Sequence, residues 1–97
     1  MTDFECKLDL TFRGVELRDD TFHYVKHCSR SALAALGLRD RRVQVLLERE
    51  RLADRVRAYV AVDDGPTTLR ARGADADELI AVRNAFARLE IHRAHAS

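Results

Sequence analysis

The chain has 97 residues, which is enough for one hydrophobic core and too few for two, since a second core needs roughly another 50 residues. With 46% hydrophobic and 34% charged residues, the composition is that of a folded globular chain and excludes disordered and fibrous classes. Seventeen basic and 16 acidic side chains give a net charge of +1, so any binding to nucleic acid must depend on where the charges lie. We therefore expect a single domain over residues 1–97.

The beginning of the chain, MTDFECKLDL, carries charged residues where a signal peptide needs an apolar stretch. No apolar run approaches the roughly 20 residues that span a bilayer. Two cysteines, Cys6 and Cys28, are too few for a secreted disulfide scaffold, and they are expected to be free thiols. These features predict a cytoplasmic protein without a membrane partner.

The first predicted strand covers residues 4–12, where every second residue is apolar and charged or polar residues lie between. Arg13 and Gly14 interrupt it, and a continuation through Val15 and Leu17 is left open. A helix follows to about Leu36. We expect Asp19 and Asp20 to cap its start and Gly37 to terminate it in the left-handed conformation.

Three further strands are predicted in the middle of the chain. Alternating apolar residues mark one strand at 43–47 and another at 55–62, joined through the charged segment 48–51. The turn sequence DDGP at 63–66 indicates a hairpin with a fourth strand from Thr67 to Arg72, which Gly73 is expected to end.

The last predicted element is a helix in which Asp75 and Glu78 resemble a capping box. Its apolar residues follow helical spacing, at Leu79, Val82, Phe86 and Leu89. The predicted core of the protein consists of Phe4 or Phe12, Leu8, Leu10, Val25, Leu36, Val43, Val45, Val56, Val60, Leu79, Val82, Phe86 and Leu89.

The order of elements is β-α-β-β-β-α. Because each strand alternates and each helix has one apolar stripe, the economical arrangement is an α+β fold with both helices on one face of a four-stranded sheet. A strand–helix–strand crossover favours parallel neighbours, so the first two strands are expected to be parallel and the other pairs antiparallel. The sheet is therefore predicted to be mixed.

Two segments resemble a known family. Residues 10–20, LTFRGVELRDD, are similar to the opening of the ribosome hibernation promoting factor and ribosome-associated inhibitor family, in which the first strand runs through a turn into the first helix. Residues 70–79, RARGADADEL, are similar to the end of that family's fourth strand and its acidic helix start. Together with the element order, the resemblance covers about residues 6–92. Leu79 and Arg83 depart from the family pattern, which has Tyr and Asp there.

The resemblance implies a short-form, non-enzymatic protein that binds the small ribosomal subunit and its rRNA. It further implies inhibition of translation, or promotion of ribosome hibernation, under stress. No cofactor and no small-molecule substrate are implied. Whether the chain forms a homodimer is left open.

The candidate RNA-binding residues are cationic and lie on the two helices. His23, Lys26, His27 and Arg30 have the spacing of one exposed helical stripe, which suits phosphates as well as it suits an ordinary solvated surface. On the last helix Arg83 and Arg88 are the main candidates, Arg88 at a position where the family commonly has Lys. The predicted phosphate contacts are Lys26, Arg30, Arg83 and Arg88, with His23, His27 and His92 as pH-sensitive auxiliaries.

Other kinds of site find little support in the sequence. Neither His23 with His27 nor His92 with His95 has the further ligands that structural zinc needs, so no metal site is expected. Phosphate-binding loops and nucleophile motifs are missing, which argues against catalysis. Arg55, Arg57, Arg70 and Arg72 are expected to form a second basic cluster on the other sheet face, partly neutralised by Glu48 or Glu50. The alternative function is a diverged protein-interaction module, for which an apolar patch around Phe22 or Tyr59 would argue.

Overall fold

The computed structural model describes residues 6–16 and 18–96, except for the side chains of residues 92–96. The predicted residues Phe4 and Leu17 lie outside this part of the chain. Six elements occur in the predicted order: β1 (Lys7–Arg13), α1 (Asp19–Leu36), β2 (Arg42–Glu50), β3 (Arg55–Asp64), β4 (Thr67–Asp75) and α2 (Glu78–Ala96).

The four strands form one mixed sheet in the order β1-β2-β3-β4. β1 and β2 are parallel, with Leu10 opposite Val45. The other two pairs are antiparallel, and Val60 lies opposite both Val45 of β2 and Ala71 of β4. This is the predicted topology, which follows because α1 is long enough to carry the chain back to the start of a parallel neighbour.

Both helices cover the same face of the sheet. Alternate residues of β2 and β3 are buried on that face, and α2 packs on β3 and β4 with α1 beside it. The opposite face carries the charged and polar residues of each strand and is called the open face below. The core predictions Val25, Val43, Val45, Val56, Val60, Val82, Phe86 and Leu89 are all buried.

The core differs from the predicted one at its margins. Leu8, Leu10, Phe12 and Leu36 are only partly buried and pack against the core. Leu79, predicted as a core residue, is partly exposed and does not belong to the core cluster. Leu33, Leu47 and Val62 are fully buried and had not been predicted.

The segment before α1 settles one open question and corrects one prediction. β1 does not continue through Val15, a possibility that the sequence left open, because Gly14 has φ +68 and the chain bends there. The residue before the helix is Arg18, which is extended and makes no side-chain cap, so Asp19 and Asp20 lie in the first helical turn instead. Acidic groups in that turn still favour the helix dipole. At the other end Gly37 adopts the predicted left-handed conformation, with φ 71.

Gly73 does not end β4, contrary to the prediction; the strand continues to Asp75 and Gly73 is buried within it. α2 crosses directly above this glycine. A Cβ atom at position 73 would lie 2.6 Å from the Ala81 carbonyl oxygen and 2.6 Å from the Ala85 nitrogen. The glycine is therefore required by the close approach of helix and strand, not by a turn.

The start of α2 is capped by Asp77 and not by the predicted pair of Asp75 and Glu78. Oδ1 of Asp77 accepts hydrogen bonds from the Leu79 nitrogen at 2.8 Å and the Ile80 nitrogen at 3.4 Å. Asp75 instead accepts a bond from the Asp77 nitrogen at 2.9 Å, which closes the turn ahead of the helix. The Glu78 side chain takes no part in this cap and contacts α1 instead.

Candidate nucleic-acid interface

Of the four predicted cations of α1, His23, Lys26 and His27 are exposed, whereas Arg30 is half-buried. His23 and His27 are two residues before and after the buried Val25, so both project away from the core. Lys26 and Arg30 lie on the flank nearest to the start of β1, where they are close to Cys6. Burial raises the pKa of the Cys6 thiol, and the positive charges of Arg30 and Lys26 partly oppose that rise.

Arg83 extends this basic surface toward α2. Burial raises the pKa of Tyr24 on α1, Cys28 adds to the rise, and the positive charge of Arg83 opposes it. We name His23, Lys26, His27, Arg30 and Arg83 the helix surface. It runs from the β1 flank of α1 across its outer side to the boundary with α2.

Arg88 does not belong to the helix surface. It is five positions after Arg83, which is about 140° around a helix with 3.6 residues per turn. Its Nη1 donates a 2.9 Å hydrogen bond to the backbone carbonyl of Arg72 in β4. The two arginines therefore leave α2 on opposite flanks. The predicted auxiliary His92 lies in α2 as well, but its side chain is outside the described part of the structure.

On the open face, ion pairs join charged residues of β1, β2 and β3. Asp9 pairs with Arg42 at 2.6 Å, and Glu48 approaches Arg13 at 3.8 Å. Glu50 binds both Arg55 and Arg57 at 2.7 Å, which confirms the predicted cross-strand salt bridges. Exposed pairs of this kind contribute little to stability, but they remove the charge of both partners from the surface.

Arg70 and Arg72 of β4 are different, because within the described residues neither has an ion pair. They border a groove of about 950 Å³ on the open face. Leu46, Tyr59 and Ala61 line its floor, and Arg88 and Ile91 of α2 line its side. We name this the open-face groove.

The sequence indicated Tyr59 and the β4 arginines, but not that they line a groove. Such a groove arises because α2 overhangs the β4 edge. Leu46 in β2 and Ala61 in β3 are apolar residues at positions where the alternation calls for polar ones, and they were the sign of the groove available in the sequence.

Phe22 of α1 is 39% exposed, and its ring meets the His23 ring edge-on, with 5.8 Å between the ring centroids.

Three further features bear on the class of site. Among the described residues, no group of three or more His, Cys, Asp and Glu side chains is arranged to hold a metal ion. Cys6 and Cys28 are unpaired thiols, each partly buried. Across the part of the chain that the structure describes, the helices are too short or too polar to cross a membrane.

Comparison with known proteins places the fold. No family model matches the sequence, and no curated protein sequence matches it. The N-terminal domain of Protein Y from Thermus thermophilus is similar in structure, with 26% identity, a TM-score of 0.72, and coverage of 96% of this chain and 100% of that one. A ribosomal subunit interface protein from Coxiella burnetii has a TM-score of 0.74 at 14% identity, covering 93% of this chain and 96% of that one.

Both of these proteins are members of the ribosome hibernation promoting factor family. The chain therefore has the α+β fold of that family over almost its whole length. The resemblance predicted from residues 10–20 and 70–79 is confirmed.

Proposed function

We propose that the chain is a non-enzymatic, cytoplasmic ribosome-binding protein. It associates with the rRNA of the small subunit and inhibits translation or promotes ribosome hibernation under stress. The observation that carries this proposal is the match over 96% of the chain to the Protein Y domain, a member of the hibernation family. The described residues supply a compatible surface, since His23, Lys26, His27 and Arg83 are exposed on the outside of the two helices.

Within this proposal the helix surface is the main RNA contact. Lys26, Arg30 and Arg83 bind phosphates, and His23 and His27 are auxiliary contacts. Arg88 contacts RNA from the β4 side instead. His92 is retained as an auxiliary contact on the basis of the sequence alone. We infer further that the chain acts as one domain.

The test is co-sedimentation of the protein with isolated small ribosomal subunits at two or more salt concentrations. If the helix surface binds phosphates, log affinity falls by about 0.7–0.9 for each contact per log unit of salt. The double variant Lys26→Glu with Arg30→Glu should lose co-sedimentation at moderate salt. Thermal unfolding of the variant confirms that the loss is not a folding defect.

A matched control carries the same change of net charge elsewhere. Arg49→Glu with Arg51→Glu alters two exposed arginines at the β2–β3 connection and breaks one exposed 3.7 Å ion pair, with Asp54. This control should sediment almost as the unaltered protein does. Equal loss in both double variants would indicate nonspecific attraction. Salt-independent binding would favour the protein-interaction function.

A further inference from the structure

The open-face groove is not explained by the helix surface. One row of neighbouring residues crosses its floor, Thr11 in β1, Leu46 in β2, Tyr59 in β3 and Arg72 in β4. Tyr59 and Leu46 are half-buried and Arg72 is exposed. The centre of the groove is thus an apolar and aromatic floor with a cationic border along β4.

The charge of that border is not cancelled from within the described residues. Among the described residues, the acidic side chains on the open face are Asp9, Glu50, Asp63 and Glu48, the last of which approaches Arg13. Asp9 is held by Arg42 and Glu50 by Arg55 and Arg57, while Asp63 approaches Arg41. Arg70, Arg72 and Arg88 therefore present one sign of charge on the β4 side, which fits an anionic partner.

Charged side chains lie close to Tyr59 on the open face. The Tyr59 hydroxyl lies by the guanidinium of Arg57, two residues earlier on the same face of β3; this hydroxyl and then Glu50 raise the pKa of Arg57. Arg57 is in turn fixed by its 2.7 Å contact with Glu50. An aromatic ring that is half-buried on the floor of a groove and bordered by cations is suited to stack on a planar group.

We propose that the open-face groove binds a short segment of single-stranded RNA, with Tyr59 stacked on one base and Arg70, Arg72 and Arg88 contacting phosphates. The proposal rests on the proposed function for its class of partner and adds a second RNA contact on the opposite side of the sheet. Because the helices separate the two surfaces, each can be removed without the other.

Two features favour RNA over an acidic peptide. Residues two apart in a strand lie about 6.6 Å apart, so Arg70 and Arg72 are spaced to meet successive phosphates of an extended strand. A peptide carboxylate would use the arginines but would leave Tyr59 and Leu46 without a planar partner. A duplex is disfavoured because its bases are stacked on one another and cannot reach Tyr59.

The experiment is fluorescence anisotropy with a labelled single-stranded oligouridylate of ~8 nucleotides, a length typical of such sites. Tyr59→Leu removes the ring but keeps apolar volume and should weaken binding at least about fivefold. Tyr59→Phe keeps the stacking ring and is the matched control. Arg70→Gln with Arg72→Gln should lower the salt dependence of log affinity by about 1.4, for two contacts on a single strand.

A second measurement detects stacking on Tyr59 directly, through tyrosine fluorescence, and does not depend on a change of affinity. The chain has two tyrosines and no tryptophan, so in Tyr24→Phe the ring of Tyr59 is the sole source of aromatic emission at long wavelength. A base stacked on that ring should quench the emission as the oligonucleotide is added. In Tyr59→Phe, where only Tyr24 emits, the same titration should leave the emission unchanged.

The outcomes separate this proposal from the function proposed above. If Tyr59→Leu and the double glutamine variant bind the oligonucleotide with unchanged affinity, the proposed groove site is contradicted. This holds whatever the result with ribosomal subunits. Tighter binding of an acidic peptide, or of duplex RNA, overturns it as well. If the unaltered protein fails to co-sediment with small subunits but binds the oligonucleotide through Tyr59, the groove is supported and the ribosomal function is not.

Discussion

The buried hydroxyl of Thr21 donates a 2.8 Å hydrogen bond to Oε1 of Glu78, which links the first turn of α1 to the first turn of α2. The Glu78 side chain is only 13% exposed, and the Arg18 guanidinium approaches the same oxygen at 3.8 Å. One carboxylate thus fixes the beginnings of both helices relative to each other. Glu78 is available for this contact because Asp77 caps α2.

Replacing Thr21 with Val should destabilise the protein by about 1–3 kcal/mol. The change removes the hydroxyl donor and leaves a poorly solvated carboxylate with one distant cation. Urea denaturation measures the free energy of unfolding. Thr68→Val, the same change at an exposed position of β4, should cost less than about 0.5 kcal/mol. Equal stability of the two variants would show that the hydrogen bond between Thr21 and Glu78 does not contribute to stability.

Gly73→Ala should be more costly than an alanine at any other glycine tested. Its Cβ atom would meet backbone atoms of α2 at 2.6 Å, so the helix must move away from β4 at a cost toward the upper end of roughly 1–3 kcal/mol. Gly37→Ala is the comparison, because its φ of 71 is unfavourable for alanine but no atom lies within 4 Å. That variant should lose about 1 kcal/mol. A smaller loss for position 73 would contradict the close packing of α2 on β4.

Phe86→Ala should lower the free energy of unfolding by about 3–5 kcal/mol. The ring of this α2 residue is almost fully buried, and its truncation leaves a cavity. Phe22→Ala serves as its control, since the Phe22 ring is largely exposed, and should cost less than about 1 kcal/mol. Thermal and denaturant unfolding both give the comparison. A loss below about 1 kcal/mol at Phe86 would contradict the placement of α2.

Acid should weaken the contact of β2 with β3 through Glu50. Arg55 is the main cause, with Arg57, of a Glu50 pKa below its ordinary value of 4.5, while burial opposes them. A carboxyl with a lowered pKa in the folded state contributes stability that is present above pH 4.5 and is lost as the pH falls through the folded value.

Glu50→Gln should therefore lower the stability slightly above pH 4.5, where these exposed pairs contribute weakly, and should flatten the pH dependence of unfolding below pH 4.5, where the two proteins converge. Unfolding midpoints measured across the acid range test this. Glu16→Gln, at an exposed position without an ion pair among the described residues, is the control. Parallel pH profiles for the two variants would rule out the contribution of Glu50.

Alternation of apolar residues predicted the strands and their buried sides, and the preference of strand–helix–strand crossovers for parallel neighbours predicted the topology. It failed at Gly73, because a glycine beneath a crossing helix has the same local pattern as a glycine that ends a strand. The capping prediction at Asp75 failed for a related reason. Two aspartates in a row of turn residues offer alternative caps, and the packing of Glu78 against Thr21 selects between them.

The candidate site was predictable along each helix but not between elements. Helical spacing correctly placed His23, Lys26 and His27 on the solvent side of α1. It could not show that Arg83 faces α1 while Arg88 reaches β4, because that depends on which flank of α2 meets the sheet. The groove beside Tyr59 exists only once α2 overhangs β4, so the sequence suggested its residues without its shape.

The way β1 joins the sheet affects how the protein folds and opens. β2, β3 and β4 follow one another through short turns, whereas β1 pairs with β2 only after α1 has bridged them. Closing that longer loop costs more chain entropy, so the three-stranded part is expected to form first. Leu8, Leu10 and Phe12 are also only partly buried. The amide protons of β1 should exchange with solvent before those of β3, and each such opening exposes the unpaired edge of β2 to other chains.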